Sequence, residues 1–400
     1  MIPHPNKRLK NLISLITAVV IVCLAAKMQA ANAQTKKSTV INMVLISDVH
    51  YGITRANFRG DTGVRSQVVN EAMIAQLNSL PKTILPADDG IGAGNPDGAI
   101  EGMALTGDIA NKMDPGVQRA STSWAQFVSD YLSGGLKLKT SSGQATPMFL
   151  VPGNHDITNA IGSSKPMKPT TDPSSMVGMY NLMVKPDMSL SGDMYDYSEY
   201  KINYSKNIGG VHMMFITLWP DSVERIWMQK DLASVDKTIP VIIFTHDPPI
   251  ADPKHFTNPV APHEMNTENG FENLLAENYK ESPTAKGDGG STAVEQRGLV
   301  KFLKAHPNIK AYIHGHSNYN EFYTYRGPDN DIDLKVFRVD SPMKGRYSAP
   351  DEKLQSFLLI SIDSQTLQMT ARECLWNTEP RNKNQKIVFG KSQTISLKVD

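Results

Sequence analysis

Five short polar clusters recur along this chain in a fixed order, each directly after an apolar run. They are Asp48-Val49-His50, Gly107-Asp108, Gly153-Asn154-His155-Asp156, Thr245-His246 and Gly315-His316-Ser317-Asn318. Carboxylate, amide oxygen and neutral imidazole dominate the set, and these suit Zn, Mn or Fe, with carboxylate able to bridge two ions. A ladder of this kind predicts a site for two divalent metal ions. It also constrains the fold, because the apolar runs must bring their polar ends to one place.

The segments between the clusters fit that requirement. Residues 41–47 form an apolar run suited to a buried strand, and residues 66–80 place Val69, Ala72, Met73, Leu77 and Leu80 at helical spacing. A strand at 103–105, a helix over 117–132 and a strand at 147–151 follow. Further strands are expected at 200–204, 211–218 and 241–244, with a helix over 223–235 before the last of these. A helix over 292–305 precedes a strand at 309–313. Beyond it the chain reads mainly as strands, at 319–325, 334–340, 355–362 and 366–374. Alternating strands and helices predict parallel strands with helical crossovers. Ligands in such sheets sit outside the carboxyl ends of the strands, and all five clusters fall there. Residues 81–98 read as a surface loop. Residues 157–199 lack sustained periodicity and read as an insertion capping the site, with a second long loop region over 247–290.

Composition narrows the function. The chain is 40% hydrophobic and 20% charged, which predicts a packed core. The first 33 residues carry Lys7, Arg8, Lys10 and Lys27 and no acid; a basic start, an apolar stretch over 12–26 and Ala31-Asn32-Ala33 predict a cleaved signal peptide over 1–33. The expected mature chain, 34–400, has 37 basic against 40 acidic residues. That balance argues against a nucleic-acid partner. No stable membrane span is expected after cleavage, and a secreted or periplasmic location is. Only Cys374 then remains, so no intrachain disulfide is expected.

In residue type and order the clusters resemble the calcineurin-like metallophosphoesterase superfamily, whose pattern runs Asp-x-His, Gly-Asp, Gly-Asn-His-Asp/Glu, His, Gly-His-x-His. The resemblance covers the catalytic core from about 41 to 318. It implies an α/β fold, a four-layer αββα sandwich with two mixed sheets and the dimetal site at the carboxyl ends of the strands. It also implies that Asp48 and His50 hold the first metal, that Asp108 bridges both, and that Asn154, His246 and His316 hold the second. His155 then faces the substrate and stabilises or protonates the leaving-group oxygen. Asp156, beside it, is a candidate catalytic residue that would orient it, with a solvated or loop-capping carboxylate as the other reading. The implied reaction is hydrolysis of a small-molecule phosphate ester by a metal-bridging hydroxide, the two ions neutralising the phosphoryl oxygens. A phosphomonoester is the preferred substrate. A phosphodiester, or a non-catalytic binding role on the same fold, is the alternative.

Two departures from the pattern matter. Where the family often has a final His completing the first site, this chain has Asn318, so a weaker first metal is expected. Purple acid phosphatases place Tyr three residues after the bridging Asp; Asn111 stands there, so a tyrosinate-bound ferric ion is not expected. Tyr51 and Arg55 are expected at the surface, Asp247 and Ser317 as loop residues, and His314 in a structural role.

Overall fold

Seven residues, Val40–Ile46, form the first strand, β1, because five of them in succession are apolar or small enough to be buried and no turn residue interrupts them. The computed structural model describes residues 40–111, 118–157, 172–195, 199–250, 293–382 and 384–399. The expected signal peptide, most of the region over 247–290 and parts of that over 157–199 lie outside the described residues. After β1 come β2 (Thr54–Phe58), β3 (Asp61–Arg65), α1 (Ser66–Leu77), β4 (Ile100–Thr106), α2 (Ala120–Phe127), β5 (Met148–Val151), the single turn α3 (Asn154–Ile157) and α4 (Ser174–Met183). Then follow β6 (Tyr204–Ile208), β7 (Val211–Phe215), α5 (Ser222–Leu232), β8 (Val241–Phe244), α6 (Ala293–Ala305) and β9 (Ile309–His314). The chain closes with β10 (Glu321–Tyr325), β11 (Leu334–Arg338), β12 (Ser356–Asp363), β13 (Gln368–Leu375) and β14 (Val388–Ser396).

The architecture is mixed α/β with two mixed six-stranded sheets, as the resemblance implied. One sheet runs β14-β13-β12-β1-β4-β5 and the other β10-β11-β9-β8-β7-β6. In the first, β1-β4-β5 form a parallel half and β12, β13 and β14 extend it antiparallel on one side; in the second, the parallel centre β7-β8-β9-β11 has an antiparallel strand at each edge. Buried residues of both sheets share one core: Met43 and Leu45 of the first lie in it with Phe215, Phe244 and Ile313 of the second. Phe149 stacks on Phe215 at 5.2 Å, and the Tyr204 hydroxyl donates to the Leu150 carbonyl at 2.9 Å. A second core contains Met214, Ile243 and Tyr312 of the second sheet with Met228 and Leu232 of α5 and Leu299 and Leu303 of α6. Period-2 alternation in β7 thus sends Met213 and Phe215 to one core and Met214 to the other. Each such side chain contributes about 1.5–3 kcal/mol by burial.

Several expected elements shift. The strand expected at 200–204 instead begins at Tyr204 and pairs with β7 as a hairpin. Its turn is Gly209-Gly210, both at positive φ, which hairpin loops of two residues require. A second such hairpin, β2–β3, turns at Arg59-Gly60. Strand β14 was not expected. Within 157–199, α4 places Met176, Met179, Tyr180 and Met183 at helical spacing, a short periodic signal among the prolines. The helix over 117–132 is α2 followed by a π turn at Val128–Leu132. Helix α5 starts at Asp221, whose carboxylate accepts the Glu224 amide at 2.9 Å. No described helix is long and apolar enough to cross a membrane.

Candidate metal centre

The five clusters follow β1, β4, β5, β8 and β9, three strands of one sheet and two of the other. Backbone hydrogen bonds lock them together: Asp48 N to the Gly107 carbonyl at 3.0 Å, His50 N to the Asp108 carbonyl at 2.9 Å, and Gly315 N to the His246 carbonyl at 3.1 Å. Asp48, His50, Asp108, His316 and Asn318 all adopt positive φ, between 43° and 64°. Such backbone is uncommon outside glycine and clusters where geometry is imposed by function. The motif glycines make room for it. A Cβ on Gly107 would collide with His246 Nδ1 and stand 2.8 Å from the Gly153 backbone, and one on Gly315 would strike Ser47 and Asp48.

Asp108 occupies the centre. Its Oδ1 accepts the His155 amide at 2.9 Å. Its Oδ2 lies 3.5 Å from His50 Nε2, 3.6 Å from His246 Nε2 and 3.9 Å from His155 Nε2. On one side, Asp48 Oδ1 is 3.5 Å from His50 Nε2. On the other, the Asn154 amide oxygen is 3.2 Å from His246 Nε2, and the His246 and His316 rings pack edge to face at 5.2 Å. Donor atoms of Asp48, His50 and Asp108 lie within 4.8 Å of one another, and so do those of His246, Asp247 and His316.

The electrostatics suit cations. Burial, with the Lys344 charge, pushes His50 down to about 3, and burial pushes His246 down to about 4, so both are neutral and hold a lone pair at neutral pH. Burial and the neighbouring Asp48 and Asp156 charges raise Asp108 well above the carboxylate range. Burial also works to raise Asp48, but the His50 and His246 imidazoles outweigh it and hold its carboxyl below that range. Asp48 Oδ1, His50 Nε2 and the Asn318 amide oxygen are buried without a hydrogen-bond partner. Buried polar atoms left so are costly in a protein interior. Metal coordination is the use their chemistry fits.

The expected ligands are therefore brought together. Asn318 donates its amide nitrogen to the His316 carbonyl at 2.7 Å, and its amide oxygen is buried without a hydrogen-bond partner. His155 packs on His50 at 5.2 Å, and its side chain is 18% exposed where those of His50 and His246 are fully buried. Asp156 takes the loop-capping role, the second of its two expected readings. Its carboxylate accepts the amides of Ile109 at 3.1 Å, Ala110 at 2.8 Å and Gly153 at 3.0 Å. It braces the backbone on both sides of the site and does not orient His155 through its side chain.

Two residues were misjudged by sequence. Tyr51 and Arg55 are buried, not superficial. The Tyr51 hydroxyl donates to Asp130 at 2.7 Å. Asp247 is buried beside His246 and His316, its Oδ1 3.9 Å from His316 Nδ1. One was missed outright: Lys344 Nζ lies 3.1 Å from His155 Nε2. The only sequence signal for it is a lysine in a polar stretch after an apolar strand. His314, as expected, is structural, with Nε2 2.9 Å from the Tyr323 hydroxyl. His212 pairs with Asp231 at 2.6 Å, away from the metal-ligand clusters.

The sequence model of the calcineurin-like phosphoesterase family matches residues 41–319. No curated protein matches the chain. Similar solved structures include a dimetal phosphatase from Danio rerio, 12% identical, with 87% of this chain and 98% of that one covered and a TM-score of 0.45. Zinc-complexed Vps29 from Entamoeba histolytica is 12% identical, with 89% and 99% covered and a TM-score of 0.32. Phosphopantetheinyl hydrolase from Mycobacterium tuberculosis is 12% identical, with 76% and 91% covered and a TM-score of 0.30.

Proposed function

The chain belongs to the calcineurin-like phosphoesterase family, and from that premise we propose that it hydrolyses small phosphate esters, monoesters in preference to diesters, with two divalent ions. The observation that carries this reading is Asp108 Oδ2 standing among three imidazoles, with Asp48 and Asn154 on either side. Asp48, His50, Asp108 and the Asn318 oxygen would hold one ion. Asp108, Asn154, His246 and His316, with Asp247 beside them, would hold the other. The donor set, oxygen and neutral imidazole without sulfur, suits Mn, Zn or Fe. When bound, such a pair neutralises the phosphoryl group and lowers the pKa of water to supply a nucleophile.

The protein's own groups do the rest. His155 is a partly exposed imidazole of the cluster, as His316 is, but stands outside the two ligand sets and faces the leaving-group oxygen, to which it gives a proton. Its amide, held by Asp108, sets its place relative to the bridging carboxylate. Purified protein supplied with Mn or Zn should hydrolyse an aryl phosphate monoester faster than the diester, and chelation should abolish both activities. His155→Ala should keep its metal and lose rate by about 10²–10⁴-fold. Metal-loaded protein that turns over neither ester would favour a binding role on the same fold.

We propose further that the protein works outside the cytoplasm, on the support of its basic and then apolar start. Amino-terminal sequencing of exported protein should read from Gln34.

A further inference from the structure

Lys344 belongs to the loop 340–348, which follows β11 and reaches the site from far along the chain. That loop is tied down at several points. The Ser341 hydroxyl donates to the Asp48 carbonyl at 2.7 Å and accepts the amides of Met343 at 3.1 Å and Lys344 at 2.9 Å. Arg55, only 2% exposed, donates from Nη1 to the carbonyls of Pro342 at 2.8 Å and Met343 at 3.3 Å, and from Nη2 to that of Ser348. Gln355 adds a bond to the Pro342 carbonyl at 2.9 Å. A buried guanidinium directed at three carbonyls of one loop fixes that loop's path, and with it the position of Lys344 against the metal-ligand cluster.

The ammonium so placed lies 3.1 Å from His155 Nε2. An ammonium has donors only, so in this contact Nε2 accepts. Its charge is also felt at His50 and Asp108. It is half-buried, which lets it meet a ligand entering beside His155. A phosphoryl group arriving there brings anionic oxygens, which attract an ammonium more strongly than a neutral imidazole nitrogen does.

Resting on the phosphoesterase reading, we propose that Lys344 is a substrate-contacting residue whose ammonium binds a non-bridging oxygen of the phosphoryl group beside His155. On substrate entry it exchanges the imidazole acceptor for that oxygen, which frees the Nε2 lone pair to take up a proton from solvent water and pass it to the leaving group. No bond is made or broken by the lysine itself.

The test uses full-length metal-loaded protein, Lys344→Met and Lys344→Arg, with inorganic phosphate as the probe. Phosphate affinity by calorimetry and kcat/KM for an aryl phosphate are measured alongside metal content. Lys344→Met should weaken phosphate binding and lower kcat/KM, each by about 10–100-fold, the scale of a charge-assisted hydrogen bond. Its metal content should not change, and Lys344→Arg should recover part of both losses. Unchanged phosphate affinity in Lys344→Met would overturn the proposal, as would loss of metal, which would make the lysine structural. If wild-type protein hydrolyses nothing, the phosphoesterase reading fails, and the phosphate titration still decides the role of Lys344.

Discussion

The His246 ring is joined through Nδ1 to the Thr106 carbonyl at 2.7 Å. Thr106 ends β4 in one sheet and His246 follows β8 in the other, so this contact ties the two sheets at the metal centre. A carbonyl can only accept, so Nδ1 carries the proton and Nε2 keeps a lone pair; two oxygens, Asn154 Oδ1 and Asp108 Oδ2, face that lone pair, an arrangement a shared cation would satisfy.

His246→Ala removes both the ligand and the tie. Metal bound per chain should fall from two towards one. Affinity for the second ion should drop by more than the roughly 10–100-fold typical of losing a group that only orients a ligand. Elemental analysis after dialysis measures this; two ions retained at wild-type affinity would remove His246 from the ligand set.

Asp156→Asn tests the brace. An amide can turn one oxygen to the three N–H donors, and its NH2 then meets a donor. The variant should lose about 1–3 kcal/mol of stability and bind metal more weakly, because the Asp108 backbone is less well held. Chemical denaturation and metal titration report both. Full stability with a lower kcat alone would instead restore Asp156 to the catalytic step.

The first ion should be the more exchangeable. Graded chelation is expected to strip wild-type protein in two phases, and Asn318→His should slow the faster one. Histidine tolerates the left-handed backbone that Asn318 adopts at φ 58°. If the faster phase is unaltered, Asn318 does not face the first ion.

A buried carboxyl remote from the site sets a pH dependence. Asp97 is 5% exposed, both its oxygens lack hydrogen-bond partners, and burial pushes it up to about 8 against the opposing Arg372 charge. The unfolded chain releases this proton near pH 4. Between pH 4 and 8 the folded state therefore holds a proton that the unfolded state has lost, and stability falls as pH rises, by at most about 1.4 kcal/mol per unit. Asp97→Asn lacks that slope. Relative to wild type it should gain on the order of 2 kcal/mol from pH 5 to pH 7.5 in urea unfolding. Parallel profiles would place the Asp97 titration elsewhere.

Much of the frame was legible because it rests on local pattern. Apolar runs such as 241–244 and 309–313 identified buried strands, and the helical spacing around Val69 and Leu77 identified α1. Hairpins β2–β3 and β6–β7 were written in Arg59-Gly60 and Gly209-Gly210, turn signals that exposed, polar strands made easy to overlook. Strand β14 is mostly exposed and carries little periodicity beyond Ile395.

By itself the sequence determined which candidate ligands stand at the strand ends and in what order: Asp48 and His50, Asp108, Asn154, His246, His316. Each residue is held at the end of an apolar strand, and strand ends are a matter of near neighbours in the chain. The tertiary structure decided what those residues meet. It joined Asp247 to the second cluster, directed the Asp156 carboxylate to backbone amides, buried Arg55 under the loop 340–348, and set Lys344 against His155 across 189 positions of sequence. Those contacts arise where two sheets and a distant loop converge, and no local periodicity records a meeting of that range.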